Sequence, residues 1–134
     1  ELEELGEAAF SGCEALEELH LPPHLRRMGA RCFRECRALE EVTVPGSLRV
    51  LPERTFQNCT DLEKAVLHAG VERIGAEAFA SAESVALLHV WIPETVTDIA
   101  PGAFERPGGT VLHGASGSEA EAYAKKNQLP FRPE

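Results

Sequence analysis

Apolar residues return at fixed places along this chain every 23 residues. Phe10, Phe33, Phe56 and Phe79 are equally spaced, and Cys13, Cys36 and Cys59 follow three residues behind the first three. One apolar column reads Leu16, Leu39, Leu62; the next reads Leu19, Val42, Ala65; a third reads Leu21, Val44, Leu67, giving L-x-x-L-x-L. Two more columns, Leu2/Leu25/Leu48/Val71 and Leu5/Met28/Leu51/Ile74, precede Gly6, Gly29, Pro52 and Gly75, which bring the chain round to the phenylalanine. Self-similarity at a period of roughly 20 to 50 residues marks a stacked array in which each unit buries its apolar face on its neighbours. Each unit is therefore one coil of a solenoid.

Within a coil, Leu19-His20-Leu21, Val42-Thr43-Val44 and Val90-Trp91-Ile92 alternate with period 2, as a half-buried strand does. Pro22, Pro45 and Pro93 follow at once and end the strand by removing a backbone donor. Stacking predicts a parallel sheet on the concave side, the second apolar segment crossing the opposite side, and a short helical turn at each Ala-x-x-Phe. The fourth unit is longer: Phe79 to Phe104 spans 25 residues. Aligning Ile92-Pro93 on Leu21-Pro22 places two extra residues before Leu87 and predicts that Leu87, Val90, Val96 and Ile99 join the buried columns.

The C-terminal end is legible as a cap. Ser118-x-x-Glu121 is a capping box, Ala120, Tyr123 and Ala124 share a helical face, and Lys125 and Lys126 sit where a helix C-terminus favours cations. Leu129 and Phe131 follow as apolar plugs. The expected organisation is four to five coils over residues 1–112 and a cap over 113–134, with a helix near 118–127. Glu1 falls midway through a coil and no initiator Met is present, so the sequence reads as a piece of a longer chain, with any export signal outside it.

The stretch Ala-Phe-x-x-Cys-x-x-Leu-x-x-Leu-x-Leu-Pro-x-x-Leu-x-x-Met-Gly, from Ala9 to Gly29, resembles the BspA-like leucine-rich repeat. The segment from Gly114 to Asn127, with Leu129-Pro130-Phe131, is similar to the cap that often closes such arrays. The resemblance covers nearly the whole chain and departs at Ala82, where a cysteine is expected, and at Pro107-Gly108-Gly109. It implies an α/β repeat solenoid, mostly β, from an extracellular or surface-attached bacterial protein, with adhesion to host proteins known for a few members.

Charge and cysteine content narrow the chemistry. A net charge of −9 argues against nucleic acid, and no stretch approaches the ~20 apolar residues a membrane span requires. Arg26, Arg27, Arg31, Arg34 and Arg37 cluster, but the 23-residue register stacks Glu3 on Arg26, Glu4 on Arg27 and Glu14 on Arg37. Cys13, Cys36 and Cys59 occupy equivalent inward positions with parallel side chains, a poor geometry for a disulfide. Cys32 lies in another column, and no second pair or histidine motif completes a zinc site. Free buried thiols are expected, with no cofactor.

No G-x-S-x-G, H-E-x-x-H or phosphate loop is present, and the histidines at 20, 24, 68, 89 and 113 are scattered among coils. Asn58-Cys59-Thr60 spells a glycosylation sequon, but Asn58 occupies the slot of Gly12 and Glu35. The chain reads as non-enzymatic.

What the repeat does not dictate lies between the buried columns. Outward positions of the sheet form two files, Glu18/Glu41/Lys64/His89 and His20/Thr43/Val66/Trp91, and these eight residues are the candidate partner-binding surface. Trp91, the only tryptophan, either offers a plane to a protein side chain or sugar ring or packs on the insertion or the cap. Beside them Glu17, Glu40 and Glu63 form an acidic file, suited to a basic segment, a weakly held calcium ion, or simply solvent. Two functions result: recognition of a protein or glycan through this sheet, or a structural spacer with no ligand of its own.

Overall fold

A computed structural model describes residues 3–134, so Leu2 of the first apolar column lies outside the described residues. The chain winds as a solenoid with a parallel sheet along one side. Its strands are β2 (Glu18–His20), β4 (Glu41–Val44), β6 (Lys64–Leu67), β8 (Leu88–Trp91), β10 (Thr110–Gly114) and β11 (Phe131–Pro133), stacked in chain order. All five pairings between them are parallel. Six strands therefore stand where four to five coils are expected, because the cap adds β11 to the sheet. β10 runs across the boundary expected at residues 112 and 113.

The register follows the 23-residue beat. Leu19 pairs with Val42, Val42 with Ala65, and Ala65 with Val90, so apolar side chains fall on one face in every coil. Val42, Val44, Ala65, Leu67, Val90 and Ile92 are buried, while Glu41 and Lys64 are exposed.

The second apolar segment forms two-residue strands on the opposite side: β1 (Glu4–Leu5), β3 (Arg27–Met28), β5 (Val50–Leu51), β7 (Arg73–Ile74) and β9 (Asp98–Ile99). They make two separate ladders, β1-β3 and β5-β7-β9. Pro52 removes one rung at the break. Gly29 and Gly75 each donate an N–H at 2.8 Å to the preceding coil, to Leu5 and Leu51; proline in that slot has no hydrogen to give. Glycine suits the slot because a Cβ at Gly29 would collide with the backbone of Glu7.

The Ala-x-x-Phe segments are not helical, contrary to the sequence-based expectation. Ala8, Arg31, Arg54, Glu77 and Gly102, each two residues before a phenylalanine, have φ between 55° and 74°. Gly12, Glu35 and Asn58, each two residues after, are also left-handed. This alternation turns every second N–H along the stack: Phe10 bonds Cys32, Phe33 bonds Thr55, and Phe56 bonds Ala78, at 2.8–3.0 Å. A helix would spend those donors inside its own coil. The slot that holds Asn58 is thus a left-handed turn position, where asparagine and glycine are at home.

The core is a stack of repeats. Phe10, Phe33, Phe56, Phe79 and Phe104 lie ring on ring, with centroids 5.3–5.8 Å apart and planes within 18°. All but Phe10, which is 41% exposed on the first coil, are buried. The four cysteines are free. Cys36 and Cys59 each donate a thiol hydrogen at 3.3 Å to the carbonyl of the phenylalanine one coil back, Phe10 and Phe33.

At the C-terminal end, α1 (Glu119–Lys126) is capped by Ser118, whose hydroxyl accepts the Glu121 N–H, and ends at Asn127. The Glu121 carboxylate reaches past Ser118 to accept the Gly117 N–H at 2.7 Å. Tyr123 packs edge-on against Phe104 and so closes the phenylalanine stack. Leu129 and Phe131 pack against the core, Phe131 from within β11.

The fourth coil keeps its expected register, with His89 on Lys64 and Val90 on Ala65, and Val90, Val96 and Ile99 are buried as expected, but Leu87 is not. Leu87 is 46% exposed and Val85 is 87% exposed, whereas Leu88 is fully buried. With the two inserted residues the strand begins at Leu88, which alternates inward with Val90 and takes the place that Glu63 holds one coil earlier. The room left beneath the insertion is filled by Arg106. Its guanidinium is buried and donates to the carbonyls of Phe79, Cys59 and Leu62 and to the Ser84 hydroxyl, at 2.8–3.3 Å. Burial without a carboxylate partner lowers its pKa.

Candidate functional site

The strands carry the eight candidate residues into two straight files. Register pairs Glu18 with Glu41, Glu41 with Lys64, and Lys64 with His89; it pairs His20 with Thr43, Thr43 with Val66, and Val66 with Trp91. The second file then continues through His113 and Arg132. Both of these are outside the expected set. Trp91 to His113 is 22 residues rather than 23, and β11 has no counterpart in the repeat.

The two ends of the face differ. Toward the first coil, His20 is exposed, accepting or donating at 3.1 Å to Thr43 and lying 3.0 Å from Glu18. Toward the cap, aromatic rings gather. Trp91 stacks on His113 with centroids 4.1 Å apart, His89 lies 5.1 Å from His113, and the Lys64 ammonium sits 5.7 Å from the Trp91 ring centre.

Glu134 ties this cluster together. One carboxylate oxygen accepts the Trp91 indole N–H at 2.9 Å, and the other lies 2.7 Å from Nδ1 of His113. These two hydrogen bonds hold the Glu134 carboxyl below the usual carboxylate range. Since an ionised carboxylate only accepts, Nδ1 of His113 carries a proton. Nε2 of His113 lies 2.9 Å from Nδ1 of His89, so one hydrogen bond joins the two rings. The pKa of His89 is lowered by burial and by the neighbouring His113 and Arg132, which favours its neutral form.

Between β4, β6 and β8 the outward side chains enclose a depression of about 460 Å³, lined by Glu40, Glu41, Glu63, Lys64, His89 and Trp91. The exposed Leu87 also lines it. Sheet and acidic file thus meet in one place. Glu17, Glu40 and Glu63 follow one another through backbone bonds, Glu40 N–H to Glu17 at 2.7 Å and Glu63 N–H to Glu40 at 3.0 Å. Among the described residues, no group of three or more His, Cys, Asp or Glu is arranged to hold a metal ion.

The arginine cluster is largely paired. Arg26 and Arg27 lie 3.7 Å from Glu3 and Glu4, as the register predicts. Arg37 does not pair with Glu14; it reaches Glu83 at 2.9 Å, because the enlarged fourth coil projects that carboxylate toward it. No described helix is long and apolar enough to cross a membrane.

Residues 1–108 match the model of the BspA type leucine-rich repeat region, in six copies. The fold is also similar to the crystal structure of a leucine-rich repeat protein from Bacteroides ovatus ATCC 8483, with a TM-score of 0.64 and 23% identity. That alignment covers 85% of this chain and 38% of the Bacteroides protein. No curated protein matches the chain.

Proposed function

Because the chain belongs to the BspA-type leucine-rich repeat family, we propose that it is a non-enzymatic recognition module of a bacterial secreted or surface-attached protein. It binds a protein or glycan on the exposed face of the six-stranded sheet, around Lys64, His89 and Trp91. One observation carries this reading: the inward positions of the sheet repeat from coil to coil, while the outward ones change from Glu41 and Thr43 to Lys64 and Val66 to His89 and Trp91. Folding requires the inward set. The outward set is free to encode a partner, and a solenoid sheet offers such positions on a rigid, extended frame.

A spacer role draws on a different observation, the clamp that Glu134 places on Trp91, which gives the tryptophan a structural duty. One experiment separates the two. Immobilised host matrix proteins and glycans are probed with the wild type, Trp91→Ala and Glu40→Lys. Recognition through this face requires a ligand that is lost in both variants; equal binding by all three proteins removes this face from the function.

A further inference from the structure

The depression between β4, β6 and β8 has an unusual balance of hydrogen-bonding groups. Glu40, Glu41 and Glu63 contribute carboxylates, and His89 adds the edge of an imidazole already bonded to His113. Lys64 supplies the cation. Acceptors therefore outnumber donors, and the charge is negative despite Lys64. The apolar parts are a tryptophan plane and the exposed Leu87.

Trp91 is held for use from one side. His113 covers one face at 4.1 Å, and Glu134 fixes the ring edge through the indole N–H. Lys64, from the strand on the other side, places its ammonium 5.7 Å from the ring centre. The aromatic wall thus already carries a cation on a long, flexible, exposed stem that can swing away.

We infer that this depression receives an arginine side chain from a basic, extended segment of a protein partner. A guanidinium is flat, so it can stack on Trp91 where an ammonium only touches the ring. It brings five donors to a site short of donors and can fork onto Glu41 or Glu63. Its methylene stem matches Leu87. The chain's net charge of −9 draws a basic segment in from a distance. A neutral sugar could also stack on the ring, but would leave the carboxylates without a counter-charge. Neither of two other depressions of similar size has a tryptophan in its wall: one lies beside Arg26 and Arg27, which lie against Glu3 and Glu4, and the other beside Gln57 and Glu105.

This inference rests on the sheet face being the recognition surface, and its test can fail separately. The whole protein is titrated with a short peptide of alternating glycine and arginine, with its lysine and glutamine counterparts, and with neutral oligosaccharides, following the fluorescence of Trp91. The arginine peptide is expected to perturb Trp91 and to bind about tenfold more tightly than the glutamine peptide. Glu63→Gln should weaken it, and Lys64→Gln, by removing the resident ammonium, should strengthen it; both sites are exposed, so folding is not in question. Equal binding of arginine and glutamine peptides, or no gain in Lys64→Gln, overturns the inference. If an oligosaccharide perturbs Trp91 and the arginine peptide does not, the arginine assignment falls while recognition at this face stands. If neither ligand perturbs Trp91, the arginine assignment is likewise refuted, and the matrix-protein and glycan experiment with Trp91→Ala and Glu40→Lys decides the broader reading alone.

Discussion

Trp91 and His113 lie face to face on neighbouring strands, their rings 4.1 Å apart and within 9° of parallel, and a single carboxylate bonds to both. That carboxylate, Glu134, comes from just beyond β11. The cap therefore does more than cover the last coil: it sets the orientation of the most prominent aromatic side chain on the sheet.

Acidification should loosen this cluster in two stages. The pKa of His89 is lowered from 6.5 in the fold, so below that pH the unfolded chain takes up a proton that the folded chain resists, and stability starts to fall. Glu134 is lowered from 4.5, so its contribution is present above that pH and is lost as the pH falls through the lower folded value. Urea midpoints measured from about pH 8 to about pH 3 should show both declines. Glu134→Gln should remove the second and change the emission of Trp91 at neutral pH. A variant with unaltered emission would contradict the clamp.

The buried thiols should be inert until the array unfolds. Burial pushes Cys36 up to about 11 and Cys59 up to about 12, and Cys32 also upward. Only the thiolate reacts with alkylating reagents. At neutral pH, mass spectrometry after iodoacetamide treatment should find label on half-buried Cys13 first, and on the other three only with denaturant. These raised values also predict lower stability in alkali: the unfolded thiols ionise above about 9 while the folded ones do not.

Phenylalanine truncation should depend on position in the stack. Phe56→Ala opens a cavity between two buried rings and should cost about 3 to 5 kcal/mol. Phe10 stacks on a single ring and is 41% exposed, so Phe10→Ala should cost clearly less. Chemical denaturation of the two variants measures the difference; equal losses would be incompatible with a stack anchored in the central coils.

Arg106 should be irreplaceable by an apolar residue of similar length. In Arg106→Met, the carbonyls of Phe79, Cys59 and Leu62 and the Ser84 hydroxyl lose a buried donor. The Cys59 carbonyl keeps the Leu62 N–H and the Ser84 hydroxyl keeps the Ala86 N–H, so at about 1 to 3 kcal/mol for each of the two carbonyls left unsatisfied, a total loss of about 2 to 6 kcal/mol is expected. Lysine, with a single ammonium in place of the fork, should recover only part of it.

Most of the frame was written in the 23-residue period, because each coil buries the same columns against the same neighbours. Pro22, Pro45 and Pro93 marked where strands stop, and Ser118 and Glu121 marked the helix. The turns were harder to read. Their left-handed residues include Ala8, Arg31, Glu35, Arg54 and Glu77, which carry no glycine signature, and the conformation is imposed by hydrogen bonds to the next coil. Leu87 and Leu88 are adjacent and equally apolar, so only tertiary packing, with Arg106 and Ser84 beneath the insertion, decided which one is buried. Of the candidate site, the two files were legible from alternation. His113, Arg132 and Glu134 were not, since they come from the cap, where the period lapses.

The missing N–H at Pro52 gives the solenoid a seam. Between β3 and β5 the coils are joined along the six-stranded sheet and through the turns, where Phe33 bonds Thr55 and Glu35 bonds Gln57; on the third side the ladder is interrupted. Bending that opens this side breaks no rung at Pro52. The molecule should therefore flex like a book, with the six-stranded sheet as its spine, and do so between the second and third coils in preference to the stretch bound by β5, β7 and β9.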